Sequence, residues 1–363
     1  MTNGSNIWSE TYDRQMENLF AVQDDIAQAI VKALEVQLLG GKKQLLVKNY
    51  TDDLQAYNLY LQGRFFWNKR TAEDLEKAID YFNQAVALDP NYALAYAGLA
   101  DSHGLLPFYT SVQPKEAFSN ANVAVIKALD IDGNLAEAHA ALGFIKTYYD
   151  WDWNAAETEL KRAVQIKPNY PTAHHWYAEY LLAMGRHEEA IAEIRRAKEL
   201  DPLSLVINAM EAAIFLYARQ YDRAIDQCRK TLELDPNFAL AQDFIGFAYL
   251  EKGMHREAME HQKRRDELGL HRFIYSYALP EEREESLRII EEMKERWRRM
   301  DMWAFSIARV YAGLGEEDLV LEWLEKSLEG REPWIIRLKV DPVFDSLRSN
   351  PRFMTLLKKT GLE

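Results

Sequence analysis

The sequence predicts an all-α fold, a right-handed superhelix (α-solenoid) of about eight stacked helix pairs, and three observations predict it. The string EEAIAEIRRAKELDPLS at 188–204 returns as DRAIDQCRKTLELDPNF at 222–238, as LEKAIDYFNQAVALDPNY at 75–92 and as AAETELKRAVQIKPNY at 155–170. Its leading alanines, Ala78, Ala121, Ala156, Ala190, Ala224 and Ala258, stand 43, 35, 34, 34 and 34 residues apart. With 11 prolines and 16 glycines in 363 residues, little interrupts regular structure. A fixed period of this length marks an array whose helix pairs bury their apolar faces only by stacking on one another.

In chain order, residues 16–39 form the first helix candidate. Leu19, Val22, Ile26, Ile30, Ala33 and Leu34 share one face, and Asp24 and Asp25 sit near its start, where the helix dipole favours them. In each repeat that follows, a bulky slot (Phe82, Val125, Leu160, Ile194, Cys228) comes four residues after the alanine. A small slot (Ala85, Ala128, Ala163, Ala197, Thr231) comes three later, so the three lie on one helix face. Pro90, Pro168, Pro202 and Pro236, with Gly133 once in their place, then stop the helix. A companion helix precedes each of these and carries a small residue where the pair crosses: Gly63, Ala100, Gly143, Ala178, Ala212 and Gly246. Two insertions interrupt the rhythm. In WNKRTAEDLEKA, Thr71 and Asp74 suit a helix-capping box. HGLLPFYTSVQPKEAFSN, with two prolines, predicts a loop or longer connection in which Phe108 and Tyr109 are candidates for exposure. Beyond Ala258 the pattern weakens to Gln262, Arg265 and Leu270, then resumes at Ser286 and Val320 with Gly315 before the last repeat helix. Residues 331–363 break the period and read as a cap, with Trp334, Ile335, Leu338, Phe344, Leu347 and Phe353 available to cover the last apolar face.

These slots match the pattern W-x2-L-G-x2-Y…A-x3-F…P, so residues 54 to about 330 resemble a tetratricopeptide-repeat (TPR) array. Leu99, Leu142-Gly143 and Ile245-Gly246 with Tyr249 fill the first half, while Tyr96, His139, His174, Asn208 and Gln242 stand in the tryptophan slot. The stretch GSNIWSETYDRQMENLFAVQDDIAQAIVKALEVQL resembles the close of the TolB-like region that precedes such repeats in many bacterial regulators. The resemblance implies three parts: residues 1–50 as a remnant of that region, 51–330 as the array and 331–363 as the cap. In that group an effector lies upstream: a winged-helix DNA-binding domain, a class III adenylate cyclase or a Ser/Thr kinase. This sequence starts without one, as an excised fragment or a naturally short regulator would.

Charge and composition narrow the function. Fifty-seven Asp+Glu against 44 Lys+Arg give a formal charge of −13, which argues against a nucleic-acid backbone as partner. The basic clusters Lys263-Arg264-Arg265 and Arg296, Arg298, Arg299 fall within 255–299, where eleven basic residues face eleven acidic ones, and read as a solvated helix surface. No apolar run reaches the roughly 20 residues of a membrane span, and the polar start lacks a secretory layout, so the expectation is a cytoplasmic chain away from membranes. Cys228 is alone and occupies a core slot, which predicts an inert thiol. No GxGxxG, phosphate loop, GxSxG or HExxH occurs, so neither catalysis nor a cofactor is expected. His174, His175 and Glu179, with His139 a repeat earlier, are the densest polar cluster. A metal-dependent enzyme built there would need three or four ligands, and the spacing offers no further one.

What remains is the concave surface lined by the first helix of each pair. The register places there Tyr60, Arg64 and Trp67; then Glu137, Phe144 and Tyr148; then His175, Trp176 and Glu179; then Tyr217; then Asp243, Phe244 and Phe247. About half of the aromatics are expected to be packing core, since every pair must bury area. The carboxylate clamp of TPR domains that bind acidic chaperone tails is missing: its slots hold Tyr60, Ala97, Ala140, His175, Ala209 and Asp243. Aromatics beside Glu137, Glu179 and Asp243 suit a protein or peptide with apolar and basic residues. The leading expectation is therefore a non-enzymatic binding scaffold. The alternative is a small-molecule sensor controlling an upstream DNA-binding or cyclase domain, and self-association is compatible with either.

Overall fold

The computed structural model describes residues 50–267, 283–300 and 304–363. The helix expected over 16–39 and the expected first helix of the seventh repeat, with Leu270, lie outside the described residues. Within them the chain is α-helical throughout, without a β-strand. Seven helix pairs follow in order: α1 (Leu54–Lys69) with α2 (Ala72–Leu88), α3 (Ala93–Tyr109) with α4 (Pro114–Ile131), and α5 (Ala136–Ile145) with α6 (Trp153–Ile166). Next come α7 (Pro171–Ala183) with α8 (His187–Leu200), α9 (Leu205–Tyr217) with α10 (Tyr221–Leu234), and α11 (Ala239–Glu251) with α12 (His255–Glu267). Then α13 (Arg283–Met300) precedes α14 (Ala304–Gly313) with α15 (Glu317–Glu329). Two 3₁₀ turns, Pro333–Arg337 and Pro342–Leu347, and a last helix α16 (Pro351–Thr360) complete it. None of the described helices is long and apolar enough to cross a membrane.

The two helices of a pair have different jobs, and their compositions say so. First helices of successive pairs touch one another from α1 to α11. In the middle of the array they are therefore walled on all sides: every residue from Thr172 to Ala183 of α7 and from Ile207 to Tyr217 of α9 is buried. Their sequences are largely apolar to match, with a few buried polar residues such as His174, Glu179 and Asn208. Second helices bury one face built around the alanine-and-bulky stripe, such as Ala190, Ile194 and Ala197 of α8, and turn most of their charges to water.

Starts and stops follow local chemistry. Asp53 caps α1 by accepting from the backbone N–H groups of Gln55 and Ala56. Thr71 caps α2 by accepting from Asp74 N at 3.1 Å, while its hydroxyl donates to the Asp74 carboxylate at 2.6 Å. At the stops, the carboxylates of Asp89, Asp132 and Asp235 accept from Asn91, Asn134 and Asn237 N–H, tightening the turn.

The tryptophan slot holds a recurring polar latch. His139, His174, Asn208 and Gln242 each bond the carbonyl six residues earlier, that of Gly133, Pro168, Pro202 or Pro236. Each also meets a polar side chain on the second helix of its own pair: Glu159, Glu193, Gln227 or His261. Proline stops the helix, and the freed carbonyl then needs a donor, which this slot supplies.

The second insertion differs from expectation. It lengthens α3 through Pro107 to Tyr109, and Phe108 is buried rather than exposed. Its ring stands edge-on to Tyr148 at 5.1 Å and to Trp334 at 5.4 Å. A π-turn, Lys146–Asp150, extends α5 in the next repeat and carries Tyr148 against it.

Residues beyond 330 cover the last pair, as a cap would, and also cross to the middle of the array. Buried Glu332 accepts from Ala304 N at 2.7 Å, Phe305 N at 2.8 Å and the Ser327 hydroxyl at 2.8 Å, capping α14 from outside its own chain direction. Far along the chain, Arg331 donates to the Tyr149 carbonyl at 2.6 Å, Trp153 donates to the Thr360 carbonyl at 2.8 Å, and Arg219 pairs with Asp345 at 2.7 Å.

Candidate functional site

Those crossings lay Pro333–Arg337 along the π-turn of the third pair, inside the concave surface. Most residues foreseen as lining an open groove are buried, with Trp67, Tyr148 and Trp176 each 2% exposed, while Tyr60 and Arg64 are half-buried. Phe144 is the hub of an aromatic cluster, its ring 4.5 Å from Tyr148 and 4.7 Å from Trp176. Trp176 in turn meets Trp67 edge-on at 6.5 Å, joining the first pair to the fourth.

Glu179 is the electrostatic centre. Its carboxylate accepts from the Tyr148 hydroxyl at 2.6 Å, and His175 Nε2 stands 3.4 Å away. Arg337, entering from the C-terminal segment at 1% exposure, lies 3.8 Å from it, 3.5 Å from the Tyr148 oxygen and over the Tyr217 ring at 5.5 Å. Burial pushes the Glu179 carboxyl up, but His175, Arg337 and the Tyr148 hydroxyl together carry it below the usual range, so it is ionised. His174 turns away from this centre. It bonds Glu193 and the Pro168 carbonyl, so the His-His-Glu cluster of the sequence is divided between a latch and the groove. Among the described residues no group of three or more His, Cys, Asp or Glu is placed to hold a metal ion. Cys228 is buried, and burial pushes its thiol well above the ordinary range.

The remaining candidates take three positions. Arg64 pairs with buried Asp101 at 2.8 Å and stacks on Trp67 at 4.0 Å, while Tyr60 packs on Phe82 and Tyr92. Glu137 faces Lys167 at 2.6 Å. Tyr217, Asp243, Phe244 and Phe247 gather with Phe305, Arg309 and Trp334 around a crevice of only about 10 Å³.

Six of the thirteen, Phe144, Tyr148, His175, Trp176, Glu179 and Asp243, share the wall of a partly enclosed cavity of about 180 Å³. Sequence reasoning did not place the rest of that wall, among them Arg70, Leu105, Met210 and Trp334. Arg70 had no signal. It occupies the turn after α1 with φ of 58°, a left-handed conformation in which Gly or Asn would be expected.

Tetratricopeptide-repeat models match residues 67–92 and 152–214. Putative adenylate cyclase 3 of Rhizobium meliloti (strain 1021) is 30% identical over 144 residues, 39% of this chain and 24% of that protein. Transcriptional regulator HilA of Salmonella typhimurium is 26% identical over 170 residues, 47% of this chain and 30% of that protein. The matches thus span about a quarter to a third of these relatives' length. Among solved structures, MamA is 27% identical with a TM-score of 0.36, covering 42% of this chain and 89% of that one. TTC0263, a TPR protein of Thermus thermophilus, is 17% identical with a TM-score of 0.44, covering 54% and 99%. With the 34-residue period and the consecutive helix pairs, the matches show that this chain carries tetratricopeptide repeats.

Proposed function

We propose that this chain is a non-enzymatic scaffold whose concave surface grips a protein or peptide segment with apolar anchors and a basic residue. It would serve as the cytoplasmic regulatory module of a bacterial signalling or transcription protein. One observation carries the binding mode: the segment PWIIRL at 333–338 is itself apolar with a single arginine. It seats Trp334 on Phe108 and Arg337 beside Glu179, Tyr148 and Tyr217. A partner of the same chemistry would compete for those contacts, with the aromatic anchors supplying affinity and Glu179 selecting the sign of the charge. The likeness to a cyclase and a transcriptional regulator supports the regulatory part of the reading.

The test is fluorescence anisotropy of a labelled peptide carrying PWIIRL, titrated with the chain bearing Trp334→Ala and Arg337→Ala, which vacates the seat. Binding should be at least tenfold tighter than to the unaltered chain, and tenfold tighter than for a peptide with Glu in place of its Arg. Equal affinity for the acidic peptide would contradict the reading.

A further inference from the structure

The geometry points to a second kind of ligand: the cavity binds a small organic carboxylate with an aromatic or branched apolar body, its carboxylate held by Arg70 at the N-terminus of α2. This does not rest on the peptide reading, since the carboxylate would be held at Arg70 rather than at the Glu179 and Tyr148 contacts of Arg337.

Arg70 is the starting point. It is 7% exposed and lines the cavity, its Nε is buried without a hydrogen-bond partner, and no carboxylate among the described residues stands within ion-pair distance. The other buried guanidinium groups differ: Arg309 has Asp341 at 3.3 Å and Arg337 has Glu179 at 3.8 Å. The half-buried Arg64 has Asp101 at 2.8 Å. An unpaired buried charge is costly, and stacking on Trp67 at 3.6 Å offsets only part of that. Its left-handed backbone adds strain, which persists only where surrounding structure enforces it. Together these describe a buried cation on which the nearest carboxylates, Asp101 and Glu179, act only from beyond ion-pair distance.

The neighbourhood favours an anion there. Thr71 and Ala72 belong to the same wall, so the positive end of the 17-residue α2 opens beside Arg70. The acidic side chains of that first turn are engaged elsewhere: Glu73 with Lys77 at 2.6 Å, Asp74 with the Thr71 hydroxyl and with Lys69 at 3.6 Å. Glu179, also on the wall, is neutralised by Arg337 and bonded by Tyr148. Asp243, from α11, is the other carboxylate on the wall. The rest of the lining, Leu105, Phe108, Phe144, Trp176 and Met210, is apolar and suits a hydrocarbon body. Size limits that body. A cavity of about 150 Å³ accepts benzene, so about 180 Å³ accepts one ring with a carboxylate.

Isothermal titration of the full 363-residue chain with phenylacetate, phenylacetamide and benzylammonium decides the matter. Phenylacetate should bind at least tenfold tighter than its neutral isostere or the cation. Arg70→Met should reduce it to the level of the amide, whereas Arg70→Lys, which keeps the charge, should retain most of the preference. Equal binding of the amide, tighter binding of benzylammonium, no heat from phenylacetate, or an unchanged preference in Arg70→Met would each overturn the assignment. Should Arg70→Met fail to fold, the three-ligand comparison on the unaltered chain and Arg70→Lys still decides.

Discussion

A glycine at a helix crossing is kept small by what lies opposite, and Gly143 and Gly246 face different neighbours. A methyl on Gly143 would stand 2.5 Å from Leu160 Cγ, whereas one on Gly246 meets nothing nearer than 3.9 Å. Gly143→Ala should therefore cost about 2 kcal/mol through overpacking. Gly246→Ala should gain up to about 1 kcal/mol from helix propensity. Urea midpoints of the two variants should move in opposite directions. The latch residue His174 makes a pH prediction. Its two ring nitrogens face two acceptors, Glu193 at 2.6 Å and the Pro168 carbonyl at 3.0 Å. Burial and nearby Arg196 press its pKa down, but those bonds outweigh them and raise it above the ordinary 6.5. A histidine raised on folding stabilises fully below its unfolded pKa and loses that contribution as pH rises through the folded one. The stability gap between the unaltered chain and His174→Gln should thus be larger at pH 6 than at pH 9. The slot residues were legible in the sequence, while their partnership was not, because the carbonyl and the second-helix partner meet the slot only once the turn before the pair and the turn within it have both formed.

Among elements, the 3₁₀ turn Pro333–Arg337 is the least regular and the most consequential. Glu332 at its head answers three buried donors, so Glu332→Ala should cost about 2 kcal/mol, read as a lowered urea midpoint. Arg337→Met would leave Glu179 a buried charge without its cation and should cost roughly 3 kcal/mol. Adding Glu179→Gln should recover a large part of that, a coupling that a double-mutant cycle measures. The period, the proline stops and the Thr71 cap were readable because each is local chemistry. The burial of Phe108 was not, since Pro107 near a helix end and a nine-residue insertion look like a loop until Tyr148 and Trp334 arrive from distant segments. Of the candidate site, register alone brought out Phe144, Trp176 and Glu179, which share the cavity wall, and nothing in it located Arg70 or the C-terminal segment beside them.

On the scale of the whole molecule, a linear array of repeats would unfold from its ends, each pair sensing only its neighbours. Here the C-terminal segment ties the last pair to the third and fifth through Arg331, Trp153 and Arg219, so the last pair and the middle of the array share one fate. The segment's place inside the concave surface is the claim on which the binding proposal stands. Amide hydrogen exchange of the unaltered chain beside Trp334→Ala/Arg337→Met tests it most directly. The structure predicts that protection falls in residues 139–183, far away in sequence, as well as around the substitutions. Loss of protection confined to residues 304–363 would contradict it.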